Sequence, residues 1–224
     1  MNHQKQTLHA LNAGSRKKPL VEGIAALFLF ALWTAAVSLI DVRAIGPNGS
    51  TVGFAALNGR IHDLTGVHMT LYILTDWLGL VPVAFMLGFA LLGLAQWISR
   101  KSLFKVDKSL FVLGAFYLAV TACYLLFETV VINYRPVLID GYLEASYPSS
   151  TTLLVLSVMP TAVMQLDKRI RNVAFRRTAA FLLIAFTVFM TIGRLISGVH
   201  WITDIIGGIL LAAGLVKLYE AFEK

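Results

Sequence analysis

A chain of 224 residues with 14% charged residues and a mean hydropathy of +0.76 is too apolar for a water-soluble domain. Its formal charge of +7 does not point to nucleic acid, because the basic residues lie in short segments between apolar runs, as juxtamembrane charges do. The single cysteine, Cys123, excludes an intrachain disulfide framework, and neither C-x-x-C nor H-E-x-x-H occurs, so no zinc site is expected.

Residues 1–19 are polar, contain no acid and carry Lys5, Arg16, Lys17 and Lys18. They read as a disordered, basic cytoplasmic tail ahead of a single membrane domain over 20–224. Leu20–Ile40 predicts the first span, roughly 31 Å long at ~1.5 Å per residue. Asp41–His68 reads as an outer loop with a turn at 46–49. Inside it, Phe54, Leu57, Ile61 and Leu64 recur at helical spacing and predict a short amphipathic helix over 52–64, lying on the membrane surface.

Further apolar runs predict a second span at Trp77–Ile98, with Asp76 and Trp77 where it enters the bilayer, and a third at Leu110–Ile132, containing Glu128. The fourth, Ser149–Leu166, opens after Pro148. The fifth is Ala179–Ile196. The sixth is Ile202–Ala221, whose Gly207, Gly208 and Gly214 favour close helix packing. The fold class expected is therefore an all-α, six-transmembrane-helix bundle.

Six spans place both termini on one side. Fifteen of the 19 Lys and Arg residues then fall on the terminal side, and only Arg43, Arg60, Arg135 and Arg194 on the other. By the positive-inside rule the termini are cytoplasmic and the four arginines face outside, in what reads as a bacterial plasma membrane.

The most informative stretch is Gly193–Asp204. It places a cation, a histidine and a carboxylate in or beside apolar spans, where charge costs about 2.5–3.5 kcal/mol per residue on insertion scales. His200 and Asp204 are four apart. If helical, they share a face, and Asp204 orients the imidazole. Gly198 permits a break that folds Arg194 back towards the ring. A guanidinium beside a carboxylate-backed histidine suits attack on a phosphoryl group: one group holds the anion and the other attacks it. The competing reading is a structural Asp–His pair at a helix junction.

Three patches lie on that outer face: Asn133-Tyr134-Arg135-Pro136, Tyr147-Pro148-Ser149-Ser150-Thr151, and Arg194 through Asp204. Their order and content resemble the type 2 phosphatidic acid phosphatase (PAP2) superfamily, whose motifs read K-x6-R-P, P-S-G-H and S-R-x5-H-x3-D. The third survives as Arg194-x5-His200-x3-Asp204, the first as Arg135-Pro136 and the second as Pro148-Ser149. The resemblance implies that His200 attacks phosphorus to form a phosphohistidine and that Asp204 fixes its tautomer. It implies that Arg135 and Arg194 clamp the phosphate, and that Ser149 and the amides near Ser150 complete the cradle. It implies no metal and no cofactor.

Three positions depart from the pattern. Gly193 replaces the serine before Arg194. Glu128 stands where the first motif has lysine, and reads as balancing the arginines or capping polar contacts at the end of the third span. Thr151 stands where the second motif has the histidine that protonates the leaving oxygen. Both Glu128 and Thr151 are thus auxiliary candidates. Threonine donates no proton at neutral pH, so the leaving group should be a good one. A diphosphate qualifies, since its leaving phosphate has a second pKa near ~6. His62 or His68, in the first outer loop, is an alternative source of the acid. The function expected is a metal-independent membrane phosphatase acting at the outer face on a lipid mono- or diphosphate. The substrate is a phospholipid or prenyl (di)phosphate, with the balance towards isoprenyl diphosphate. The alternatives are a silent relative that binds phospholipid or scaffolds partners, and a lipid phosphotransferase.

Overall fold

The computed structural model describes the backbone of residues 2–223 and the side chains of residues 16–223. Most of the expected tail, Lys5 included, therefore has its side chains outside the described residues. Eight α-helices carry the chain: α1 (Asn2–Leu39), α2 (Ala55–Thr65), α3 (Met69–Leu78), α4 (Leu80–Arg100), α5 (Lys108–Thr129), α6 (Ser150–Arg169), α7 (Val173–Ile196) and α8 (Ile202–Glu223). Among the described residues β-pairing is confined to isolated bridges.

Among the described residues five stretches are long and apolar enough to cross a membrane: Arg16–Leu39 in α1, Met69–Arg100 across α3 and α4, and the whole of α5, α7 and α8. They leave Phe28, Leu87, Leu91, Leu118 and Phe181 exposed, which water would penalise and lipid accepts. The chain is an integral membrane protein.

The expected second span is longer than its apolar run suggested. It begins at Met69, so Asp76 and Trp77 lie within it and not at its edge. The interruption between α3 and α4 has a covalent cause. Pro82 has no N–H to offer the Leu78 carbonyl, and its ring crowds that turn. Gly79 separates the two helices, and its N–H is shared between the Thr75 and Asp76 carbonyls, both at 3.0 Å.

α6 has the length to span, at about 30 Å, but not the apolarity of the other five. Thr151, Thr152, Ser157, Thr161 and Gln165 are all buried. Its polar groups meet other helices: Thr161 Oγ1 lies 3.3 Å from the Tyr117 hydroxyl, and Gln165 bonds the Tyr219 hydroxyl.

α1 and α8 pack antiparallel. The Trp33 indole N–H donates to the Thr203 carbonyl at 3.1 Å, while Lys217 pairs with Glu22 at 3.2 Å further along. Between these contacts Gly214 lets Leu27 approach closely, since a Cβ there would stand 2.6 Å from Leu27 Cδ2.

The loop helix expected over 52–64 is α2, over Ala55–Thr65. Asn58 and Ala55 are buried against the bundle, while Leu57 and Leu64 are exposed. The C-terminal ends of α1, α5 and α7 and the N-terminal ends of α6 and α8 meet at one end of the molecule, through Thr34–Tyr147, Asn133–Asp204 and Ser149–Asp204 hydrogen bonds. That end holds the candidate site.

Candidate active site

α7 stops at Ile196, and the chain turns through Gly198 at φ +70°. A Cβ on Gly198 would lie 1.9 Å from the Gly66 carbonyl oxygen, so both the turn and the packing of the loop after α2 require glycine. His200 and Trp201 follow in irregular backbone, and α8 begins only at Ile202. His200 is therefore not on the helix with Asp204, contrary to the expectation of a shared helical face. The loop still brings them together: His200 Nδ1 stands 3.6 Å from Asp204 Oδ2. That same oxygen accepts the Trp201 N–H at 2.9 Å, which fixes the carboxylate across the start of α8.

Two guanidinium groups converge on the other ring nitrogen. Arg194 Nη2 lies 3.2 Å and Arg135 Nη1 3.3 Å from His200 Nε2. A guanidinium only donates. Nε2 therefore carries the lone pair and Nδ1 the proton, facing Asp204. Both guanidinium groups lie over the Tyr72 ring, with Arg194 Cζ 4.9 Å and Arg135 Cζ 5.9 Å from its centroid. Arg194 is 1% exposed and Arg135 8%. Two like charges held this close need counter-ions. Arg135 Nε is 3.0 Å from Glu144 Oε2, and Arg194 Nη1 is 3.6 Å from Asp76 Oδ1.

The loop after α5 positions Arg135. Ile139 and Tyr142 exchange backbone hydrogen bonds around Asp140-Gly141, both at positive φ, the arrangement of a tight two-residue hairpin turn. The returning chain sets Glu144 opposite Arg135, whose N–H donates to the Glu144 carbonyl at 3.0 Å. Asn133 donates to Asp204 Oδ1 at 3.4 Å and accepts the Gly53 N–H at 3.3 Å. Asn58 of α2 donates to Thr203 Oγ1 at 3.0 Å and accepts the Thr203 N–H at 3.3 Å, capping α8 from outside.

Tyr72, Glu144 and Asn58 escaped the sequence reading, and Asn133, inside the first patch, was given no role. Only α3 carried a usable signal: Tyr72, Thr75 and Asp76 share a face at i, i+3 and i+4 within an apolar helix. Gly193 also finds its reason here, because a side chain at that position would meet Thr75 Cγ2 at 2.9 Å where α3 and α7 cross.

Other expected residues are placed differently. Ser149 is fully buried and already engaged: its N–H donates to the Asp204 carbonyl at 3.0 Å, and its Oγ accepts the Thr152 N–H at 3.4 Å. It caps α6 instead of presenting its side chain to a ligand. Ser150 shares a small pocket with His200, Ser146 and Glu128. Thr151 lines a neighbouring, more apolar groove with Asp76, Val83, Met86 and Val120. Neither His62 nor His68 lines the His200 pocket: His62 packs on the Trp201 ring at 5.4 Å, and His68 Nε2 is 2.9 Å from the Thr65 carbonyl oxygen.

Burial, and then the charges of Arg135 and Arg194, hold the His200 imidazole well below its ordinary range, so the ring is neutral at pH 7. The arrangement thus offers an uncharged nitrogen lone pair, two fixed cations around it and a carboxylate behind it. Fixed cations beside a neutral nitrogen are groups that attract an oxyanion.

The family model of the PAP2 superfamily matches residues 112–222. The fold is similar to the crystal structure of the first transmembrane PAP2 type phosphatidylglycerolphosphate phosphatase from Bacillus subtilis, with a TM-score of 0.54 and 20% sequence identity, over 90% of this chain and 95% of that one. No curated protein matches the chain.

Proposed function

On the premise that the chain belongs, through residues 112–222, to the PAP2 superfamily, we propose that it removes phosphate from a membrane lipid phosphate. His200 Nε2 attacks phosphorus and forms a phosphohistidine. Asp204 holds the Nδ1 proton and supports the charge that the ring gains. Arg135 and Arg194 draw the phosphoryl oxygens in and stabilise the charge that develops as the P–O bond breaks. The first-turn amides of α6 at Ser150 and Thr151, which no intrahelical carbonyl reaches, complete the cradle. The observation that carries the reading is the convergence of two buried guanidinium groups on one neutral imidazole nitrogen, at 3.2 and 3.3 Å.

Thr151 supplies no proton to a leaving oxygen, which favours a lipid diphosphate of the isoprenyl type. The similar fold belongs to a phosphatidylglycerolphosphate phosphatase, so lipid monophosphates belong in the same trial. α6, with its polar side chains turned into the bundle, completes six crossings. α2 lies on the outer membrane surface, with Leu57 and Leu64 towards the lipid headgroups. The charge asymmetry puts the site outside. Purified protein in detergent should release inorganic phosphate from phosphatidic acid or from an isoprenyl diphosphate. Release from neither substrate by a folded preparation would remove the reading.

A further inference from the structure

We propose that Glu128 is the proton donor and acceptor of this site, a proposal that rests on the phosphatase reading above. Asp76 and Glu144 stand within ion-pair distance of Arg194 and Arg135, so the direct ion pairs of both arginines are made by other carboxylates. Glu128, among the described residues, makes no ion pair. It sits in the last turn of α5 and lines the pocket that also receives His200, Ser146 and Ser150. Of the pocket's lining groups it is the single carboxyl. The others able to hold a proton are His200 itself and the phenols of Tyr124 and Tyr147, and Tyr147 is engaged with Thr34 at 2.7 Å. Thr151 opens on the adjoining groove and cannot donate a proton at neutral pH.

The chemistry closes with these groups alone. His200 Nε2 attacks phosphorus, and the N–P bond forms while the P–O bond to the lipid breaks. The departing oxygen keeps that electron pair and takes the Glu128 proton, so the lipid leaves as an alcohol. Glu128, now a carboxylate, accepts a proton from water as the water oxygen attacks phosphorus. The N–P bond returns its pair to Nε2, and inorganic phosphate departs. Glu128 ends protonated, as it began. A bound phosphate favours this start, since two anions in one pocket hold a proton between them. The site is then not confined to diphosphates.

A proton donor betrays itself by dependence on the leaving group. The wild type and Glu128→Gln are compared in detergent micelles on phosphatidic acid, whose alkoxide needs a proton, and on p-nitrophenyl phosphate, whose phenolate does not. The second step, in which Glu128 activates water, is common to both esters, so the first is read alone, in a single turnover. The proposal expects Glu128→Gln to lose ~10²–10⁴ in the rate of alcohol release from phosphatidic acid and to stay within about tenfold in that of nitrophenol release. Glu128→Asp, which keeps a carboxyl, should recover phosphatidic acid turnover relative to Glu128→Gln. Equal losses on both esters, no loss on either, or an aspartate variant as poor as the glutamine one overturns the proposal. So does a wild type that cleaves the aryl ester but never phosphatidic acid, an outcome that leaves the phosphatase reading intact. A wild type inactive on both esters and on isoprenyl diphosphate removes the phosphatase reading, and this proposal with it.

Discussion

Arg194 Nη2 lies 3.2 Å from His200 Nε2, and six residues of chain, turned through Gly198, bring the two together. This contact fixes the ring's tautomer and, with Arg135 and burial, opposes its protonation. The sign follows directly. A histidine whose pKa is lowered stays neutral as the pH falls through about 6.5, where an ordinary imidazole would charge and lose its lone pair. Phosphorylation of His200 in a single turnover should therefore show no acid limb near about pH 6.5. Arg135→Gln removes one of the two opposing charges, so its acid limb should sit at higher pH than that of the wild type. Titration of the substrate phosphate is common to both proteins, so the displacement between the curves reports on His200. Superimposable curves would remove the electrostatic account of the ring.

Asp204→Asn puts an amide where two N–H groups already point. Asp204 Oδ2 accepts the Trp201 N–H and Oδ1 the Asn133 amide, with His200 Nδ1 3.6 Å from Oδ2. Whichever way the new side chain turns, one donor meets another. We expect a loss of about 1–3 kcal/mol in stability from the unsatisfied pair. Turnover should fall by up to ~10⁴, as when a histidine loses its tautomer-fixing carboxylate. Thermal melting and phosphate release on one preparation check both.

Asn58→Ala tests whether α2 holds the site from outside. Asn58 is fully buried and joins Gly53 to the start of α8 through Thr203. Its removal strands the Thr203 N–H and should cost about 1–3 kcal/mol. Because α8 carries Asp204, kcat should fall with KM little changed. A variant that melts earlier yet turns over at the wild-type rate would show α2 to be a structural prop only.

The orientation rests on fifteen basic residues against four. In a Cys123→Ala background, a cysteine replacing Asp140, at the exposed hairpin turn, should react in intact cells with a membrane-impermeant thiol reagent. One replacing Arg171, in the exposed link between α6 and α7, should react only after lysis. The reverse pattern would turn the site inward.

Much of this architecture is written in residue order. Apolar runs located most of the helices, and the spacing of Arg194, His200 and Asp204 pointed to three side chains that the structure brings together. The sequence misled where tertiary contacts outweigh local pattern. The second apolar run reads as starting at Trp77 because Asp76 and Trp77 look like an interfacial entry, while Thr75 and Asp76 in fact lie inside the stretch that starts at Met69. They are tolerated inside α3 because each faces Arg194, at 3.5 and 3.6 Å. His200 and Asp204 meet across a helix start and not along a helix, since Gly198 unwinds the chain just before it. Ser149 reads as a phosphate ligand, and in the structure its Oγ accepts the Thr152 N–H as the cap of α6. Asn58 and Asn133 had no legible signal: their partners lie 145 and 71 residues away, at Thr203 and Asp204.

The central claim is that His200 becomes covalently phosphorylated. It is met most directly by quenching the wild type in denaturant during turnover of radiolabelled lipid phosphate and mapping the protein-bound label. Acid-labile, alkali-stable label on the peptide that carries His200, absent from a folded and inactive His200→Ala variant, is the predicted result. Undiminished phosphate release by His200→Ala, or label on any other residue, would contradict it.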